Sequence, residues 1–117
     1  MFYVGDELWL EGGESSFDIP NFHTFSGSLR YPGGTKNWFD KGKLQSYQDP
    51  KTGITRPAII HPSGTKEYYD RGKIQSFQDL KTGEWMPAEI WADGTKWWYD
   101  KGILVYDPNT HPWEVEK

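Results

Sequence analysis

The feature that most constrains this chain is a tandem repeat of thirty residues. Residues 33–62 read GGTKNWFDKGKLQSYQDPKTGITRPAIIHP, and residues 63–92 read SGTKEYYDRGKIQSFQDLKTGEWMPAEIWA. Sixteen positions are identical, and most other pairs keep their type, as Trp38/Tyr68, Phe39/Tyr69, Leu44/Ile74 and Tyr47/Phe77 do. A fixed period of this length means that each copy is one supersecondary unit, which buries its apolar side against its neighbours. A third copy opens with DGTKWWYDKGIL at Asp93 and loses the pattern after Leu104. A half-copy spans Phe25 to Pro32. Degraded end copies are expected, because the ends of a stack must face water. A single domain over 1–117 therefore divides into an N-terminal hairpin and loop (1–24), a half-repeat (25–32), repeats at 33–62 and 63–92, and a third repeat with a C-terminal cap (93–117).

Turn residues cut each unit into three short strands. In the second copy these run from Arg56 to His61, Thr65 to Asp70 and Lys73 to Gln78, with turns at Ser63-Gly64, Arg71-Gly72 and Asp79 to Gly83. Glycine at such places supplies the positive φ of tight hairpins. Asp40-Lys41-Gly42-Lys43 suits a type I turn with a glycine bulge. Pro57 and Pro87 cannot donate to a ladder and belong at strand starts or outward edges. Phe2–Val4 and Leu8–Leu10 form a hairpin around Gly5-Asp6; residues 11–24 read as irregular loop, and no segment reads as helix. The expectation is an all-β antiparallel meander of about ten short strands, twisted or partly curled. With strands about 4.8 Å apart, equivalent residues of successive three-strand units lie roughly 14 Å apart.

Composition agrees with thin sheet packing: 35% of residues are hydrophobic but 17% are aromatic, and aromatics favour strands. Cysteine is absent, which excludes disulfides, thiolate zinc sites and a cysteine nucleophile. The N-terminus has no basic region and no long apolar run, so we expect no signal peptide, no transmembrane segment and a cytoplasmic location. The net charge is −4 but unevenly placed: residues 1–32 carry −4 and residues 33–62 carry +3, from Lys36, Lys41, Lys43, Lys51 and Arg56 against Asp40 and Asp49. A solvated face explains such a pattern, and so does a contact patch for an acidic partner.

The segments Gly64 to Ile74 and Pro87-Ala88-Glu89-Ile90 resemble MORN-type β-hairpin repeats, in particular a variant of bacterial, phage and giant-virus proteins. The resemblance covers residues 30–104. The chain departs from that pattern where Asp79 to Gly83 separates the acid from Pro87-Ala88, and where Gln75-Ser76 stands in place of a His-Arg pair. The resemblance implies an elongated, non-catalytic sheet used for protein or membrane contacts. By analogy with small phage proteins of this kind, it implies an inhibitor of a host defence system.

Side chains alternate along a strand. One face of the strand after each Gly-Thr carries Lys36, Trp38 and Asp40, then Lys66, Tyr68 and Asp70, then Lys96, Trp98 and Asp100; the other carries Phe39, Tyr69 and Tyr99. The Lys-aromatic-Asp face is expected to be the more exposed, with Phe39, Tyr69 and Tyr99 packing on Ala58, Ile60 and Leu44. Lys36, Trp38, Lys66, Tyr68, Lys96 and Trp98, with Lys41 and Lys43 beside them, are the candidate binding residues, because aromatic and basic groups anchor interfaces. The same row can also be structural, each ring covering a thin sheet.

Catalytic chemistry finds no foothold. Lys-Thr-Gly at 51–53 and 81–83 matches a β-lactamase tripeptide, but no Ser-x-x-Lys accompanies it and it recurs with the repeat, so it reads as a turn. His23, His61 and His111 have no paired ligand spacing. Glu114 and Glu116 read as a solvated tail. We expect no enzyme, no cofactor and no metal. The leading reading is a protein-binding module, with a bacterial defence complex or a toxin as its partner. The alternative is a carbohydrate or cell-wall module whose Trp and Tyr residues stack on sugars. Nucleic acid is disfavoured by the overall acidity despite the basic and aromatic residues of the first repeat. Exposed sheet edges leave self-association open.

Overall fold

The computed structural model describes residues 1–110; His111, Glu114 and Glu116 lie outside the described residues. The chain is all-β; the described residues form sixteen short strands and two single-turn 3-10 segments, Ser16–Asp18 and Phe22–Thr24, in the stretch read as loop. Strands β1 (Phe2–Val4) and β2 (Glu7–Trp9) form the N-terminal hairpin, and β3 (Gly27–Arg30) is the half-repeat. The first full repeat supplies β4 (Lys36–Asp40), β5 (Lys43–Leu44), β6 (Tyr47–Gln48), β7 (Thr55–Arg56) and β8 (Ile59–Ile60). The second supplies β9 (Lys66–Glu67), β10 (Tyr69–Asp70), β11 (Lys73–Ile74), β12 (Phe77–Gln78), β13 (Trp85–Met86) and β14 (Glu89–Ile90). The third supplies β15 (Lys96–Asp100) and β16 (Ile103–Val105).

The main sheet runs β1-β2-β3-β4-β8-β9-β14-β15-β16, with β5 also on β4. It ends at β1 and β16 without closing into a barrel. Every pair is antiparallel except β2 with β3, where Leu8 faces Leu29 in a parallel register. That pair comes from the long connection over residues 10–26, which returns the half-repeat beside the N-terminal hairpin.

The predicted strands are present, but several are interrupted in the middle, while Lys36–Asp40 and Lys96–Asp100 run unbroken. Pro57 and Ala58 separate β7 from β8, and Gln75-Ser76 separates β11 from β12. The bends lift β6–β7 and β12–β13 out of the sheet as two hairpin arms. Only two strands per repeat therefore remain in the sheet at any level. Equivalent residues of β4, β9 and β15 are two strand spacings apart, about 9.6 Å rather than 14 Å.

Successive repeats are stitched by the Gln-Ser pair at each bend. The Ser46 N–H donates to Tyr69 O (2.8 Å), and the Tyr69 N–H donates back to Ser46 Oγ (2.9 Å). Gln45 Oε1 accepts the Arg71 N–H (2.8 Å), while Gln45 Nε2 donates to Asp70 Oδ1 (3.1 Å). The same bonds recur thirty residues on, from Ser76 to Tyr99 and from Gln75 to Lys101 and Asp100. In the first repeat Ser26 replaces the glutamine: it accepts the Lys41 N–H (3.0 Å) and donates to Asp40 (3.1 Å).

These bonds hold turns that differ from the expected type. Lys41 and Gly42 both have positive φ (51° and 77°), as do Arg71-Gly72 and Lys101-Gly102, and Asp40 pairs directly with Lys43. The loop is thus a two-residue type I′ turn, whose twist matches that of the strands. Gly42 is also fixed by space, since a Cβ there would lie 2.7 Å from Phe22 O.

The apolar core sits at the N-terminal end. Leu8, Leu10, Ile19, Leu29 and Phe39 are buried together, with Phe22, Phe25, Tyr31 and Leu44 against them. The loop over 11–24 thus covers the Phe39 side of the first repeat, and Phe22 meets Phe39 edge-on at 5.1 Å.

Ser76 is 2% exposed, so replacing it with alanine strands the Tyr99 N–H inside the sheet. We expect Ser76→Ala to lower stability by about 1–3 kcal/mol. Urea unfolding followed by circular dichroism measures it, and a change below a few tenths would contradict the clasp.

Candidate functional site

Cross-strand register sorts the residues onto two faces. On one, Trp38 follows Ser28, and its N–H donates to Ala58 O (2.7 Å); the Tyr68 N–H likewise donates to Ala88 O (2.6 Å). The row Ser28, Trp38, Ala58, Tyr68, Ala88, Trp98 thus alternates a small side chain with a ring. Beside it runs Arg30, Lys36, Ile60, Lys66, Ile90, Lys96. The other face carries Leu29, Asn37, Ile59, Glu67, Glu89 and Trp97.

This register corrects the expected core. Ala58 and Ile60 lie with the lysines and Trp38, not with Phe39; Leu44 does face Phe39. The aromatic row is also covered rather than open. Tyr47 of the first arm lies 4.8 Å from Trp38, and Phe77 of the second lies 4.7 Å from Tyr68, each ring pair tilted by just over 40°. Tyr68 is 9% exposed and belongs to the interior, while Trp38 is half-buried. Trp98 is held too, its Nε1 donating to Trp85 O (3.2 Å) at the root of the second arm.

Three of the candidate residues meet at one place. Lys36, Trp38 and Lys66 line a hollow of about 230 Å³ beside the first arm, with Tyr47, Arg56 and Ile60. Its cations are lightly paired: Lys36 Nζ is 3.8 Å from Glu7, and the Arg56 guanidinium is 3.9 Å from Asp49. Glu7 is shared with Arg30 at 3.2 Å. Among the described residues Lys66 has no ion pair. Lys41 and Lys43 lie elsewhere, beyond the far end of β4 at the hairpin turn, beside Arg71 and Gln45. Lys96 and Trp98 stand one repeat away from the second. The candidate set thus divides into a groove (Lys36, Trp38, Lys66), a turn cluster (Lys41, Lys43), a third-repeat pair (Lys96, Trp98) and an interior ring (Tyr68).

Arg56, Tyr47 and Ile60 are among the groove residues missing from the candidate set. A signal for Arg56 exists in the sequence: its counterpart is Met86, so the repeat loses a cation at this position. The pairing Tyr47–Arg56 in the first arm becomes Phe77–Met86 in the second.

The opposite face holds a polar cluster. Glu67 and Glu89 face each other across β9 and β14, and His61 Nε2 and the Tyr69 hydroxyl both bond Glu67. Lys-Thr-Gly is a turn in both arms: Asp49 Oδ1 accepts the Lys51 N–H, Gly53 N–H donates to Asp49 O, and the same bonds recur at 79–83. Among the described residues no group of three His, Asp or Glu could hold a metal ion. No helix among them is long and apolar enough to cross a membrane. No family model, curated protein or solved structure matches this chain.

Burial and the Glu67 carboxylate push the Tyr69 phenol up to about 12. In the unfolded chain the phenol ionises near 10. Between those values the unfolded state loses its proton first, so stability is intact below pH 10 and falls as pH rises toward 12. We expect Tyr69→Phe to flatten that fall, read as unfolding midpoints against pH from 9 to 12. An unchanged slope would contradict the assignment. Tyr68→Ala, by contrast, should cost about 3–5 kcal/mol at neutral pH, because it opens the space between Ala58, Ala88 and Phe77; a loss under 1 kcal/mol in urea unfolding would put Tyr68 outside the core.

Proposed function

We propose that this chain is a non-catalytic protein-binding module, and that it engages its partner through the arm-bearing face of the first repeat. The observation that carries this reading is the convergence of Lys36, Trp38 and Lys66 on one hollow walled by Tyr47 and Arg56. Lightly paired cations beside a half-buried ring are typical interface anchors. At about 230 Å³ the hollow is smaller than the roughly 300–1,000 Å³ of most small-molecule sites, so it suits side chains presented by a larger partner.

A sugar-stacking platform gains less support, because Trp38 and Tyr68 already carry Tyr47 and Phe77 against them and offer no fully open ring row. A bacterial defence complex or a toxin remains the partner class to which the family resemblance points.

The test compares the wild-type chain with Lys36→Glu/Lys66→Glu as immobilised bait, bacterial lysate being passed over both. We expect a specific protein on the wild type and at least a tenfold loss on the variant, with unchanged circular dichroism. Identical retention by the two baits, or no retained protein on either, would refute the interface.

A further inference from the structure

We infer that the groove of the first repeat is an acid-recognition site for a short extended segment of a partner protein, and that Arg56 is the residue that makes it one. This rests on the protein-binding reading and adds the chemistry of the ligand.

The second repeat serves as an internal comparison. It has the same arm, the same Pro-Ala bend and the same sheet register, since Pro57-Ala58 and Pro87-Ala88 are equivalent. Several side chains differ at the junction of arm and sheet, Thr55/Trp85, Tyr47/Phe77 and Ile59/Glu89 among them, and two further changes set the chemistry of the groove. Arg56 and Trp38 in the first repeat become Met86 and Tyr68 in the second. In the second repeat Met86 faces Phe77, and Tyr68 is buried. In the first, the Arg56 side chain is 64% exposed and Trp38 is half-covered beside the hollow. Met86 lines a hollow with Tyr68 and Phe77. A guanidinium cannot be buried without an acceptor, so Arg56 stands out beside its hollow and gives it a charged wall.

What the first-repeat hollow offers is positive charge with direction. Arg56 presents a planar fork suited to bidentate contact with a carboxylate, and Asp49 at 3.9 Å does not occupy it at hydrogen-bonding distance. Lys36 and Lys66 flank the same hollow, and Ile60 lies between them in the register. A carboxylate side chain between apolar neighbours matches this set: the acid meets Arg56 and the lysines, and its neighbours cover Ile60 and the edge of Trp38. A long polyanion matches it poorly. The groove is bounded by Glu7, which contacts both Lys36 and Arg30, and beyond it lies the N-terminal block with a charge of −4. A phosphate chain running across the sheet in that direction would meet Glu7, two strands from Lys36, whereas a segment of a few residues stops short of that strand.

The experiment titrates the full chain with a nine-residue peptide of alternating Glu and Leu, its Gln-for-Glu counterpart, and a ten-nucleotide thymidine strand, following tryptophan fluorescence at low salt. We expect the Glu peptide to saturate at one site per chain. Arg56→Met should weaken that binding at least tenfold with the fold unchanged; Arg56→Gln is the second variant if the first does not fold. Equal binding of the Gln peptide, tighter binding of the oligonucleotide, or unchanged affinity in the Arg56 variants would overturn the inference. If the Glu peptide fails to bind while a partner is still captured in a Lys36- and Lys66-dependent way, the acid specificity falls and the interface stands.

Discussion

Everything else in this structure depends on how the hairpin turns are satisfied. A type I′ turn of Lys41-Gly42 type puts a side-chain-bearing residue at positive φ, which costs roughly 1–2 kcal/mol, and turns its N–H away from its own hairpin. The preceding unit supplies the acceptor: Ser26 for Lys41, Gln45 for Arg71, Gln75 for Lys101. Each repeat is therefore completed by the one before it.

The same bend that carries the clasp lifts the arms. Once the chain leaves the sheet at Gln-Ser, it must return at Pro-Ala, and the proline removes a donor at the point where the ladder is broken. The alanine that follows is fully buried because it lies between two rings of the aromatic row, with Ser28 in the corresponding place of the half-repeat. A thin sheet with few aliphatics obtains its cover in this way: the arm folds Tyr47 or Phe77 back over the ring of its own repeat. Small residues in the row leave room for those rings, and the interior needs no second sheet.

Much of this was legible in the sequence. The period, the N-terminal hairpin, the turn positions and the all-β class follow from spacing and from Gly and Asp placement. The bends did not, because a strand read from alternation gives no sign that Gln45-Ser46 turns its side chains toward the next repeat instead of continuing the ladder. That omission carried through to the faces. With three flat strands per unit, Ala58 and Ile60 can be assigned to the Phe39 side; with the arm removed, the shorter strand places them beside Trp38 and Lys36. The parallel pairing of β2 with β3 was hidden for another reason, since it is set by the long return of residues 10–26 and by the burial of Leu8 against Leu29, not by any local pattern.

The repeats also separate what the fold requires from what it permits. Positions that make the clasp, the turns and the small members of the aromatic row are held in both copies: Gly42 and Gly72, Gln45 and Gln75, Ser46 and Ser76, Ala58 and Ala88. Each has a contact in the structure that explains it. Arg56 and Met86 differ at a place where the arm pairing and the Pro-Ala bend are the same, so the fold does not demand either. Methionine there faces Phe77 across the arm, and arginine in the same place stands largely in solvent. Natural chains tend to give up local packing at sites of function. A departure toward exposed charge, confined to the copy with the net positive charge, therefore has its reason outside the stability of the sheet.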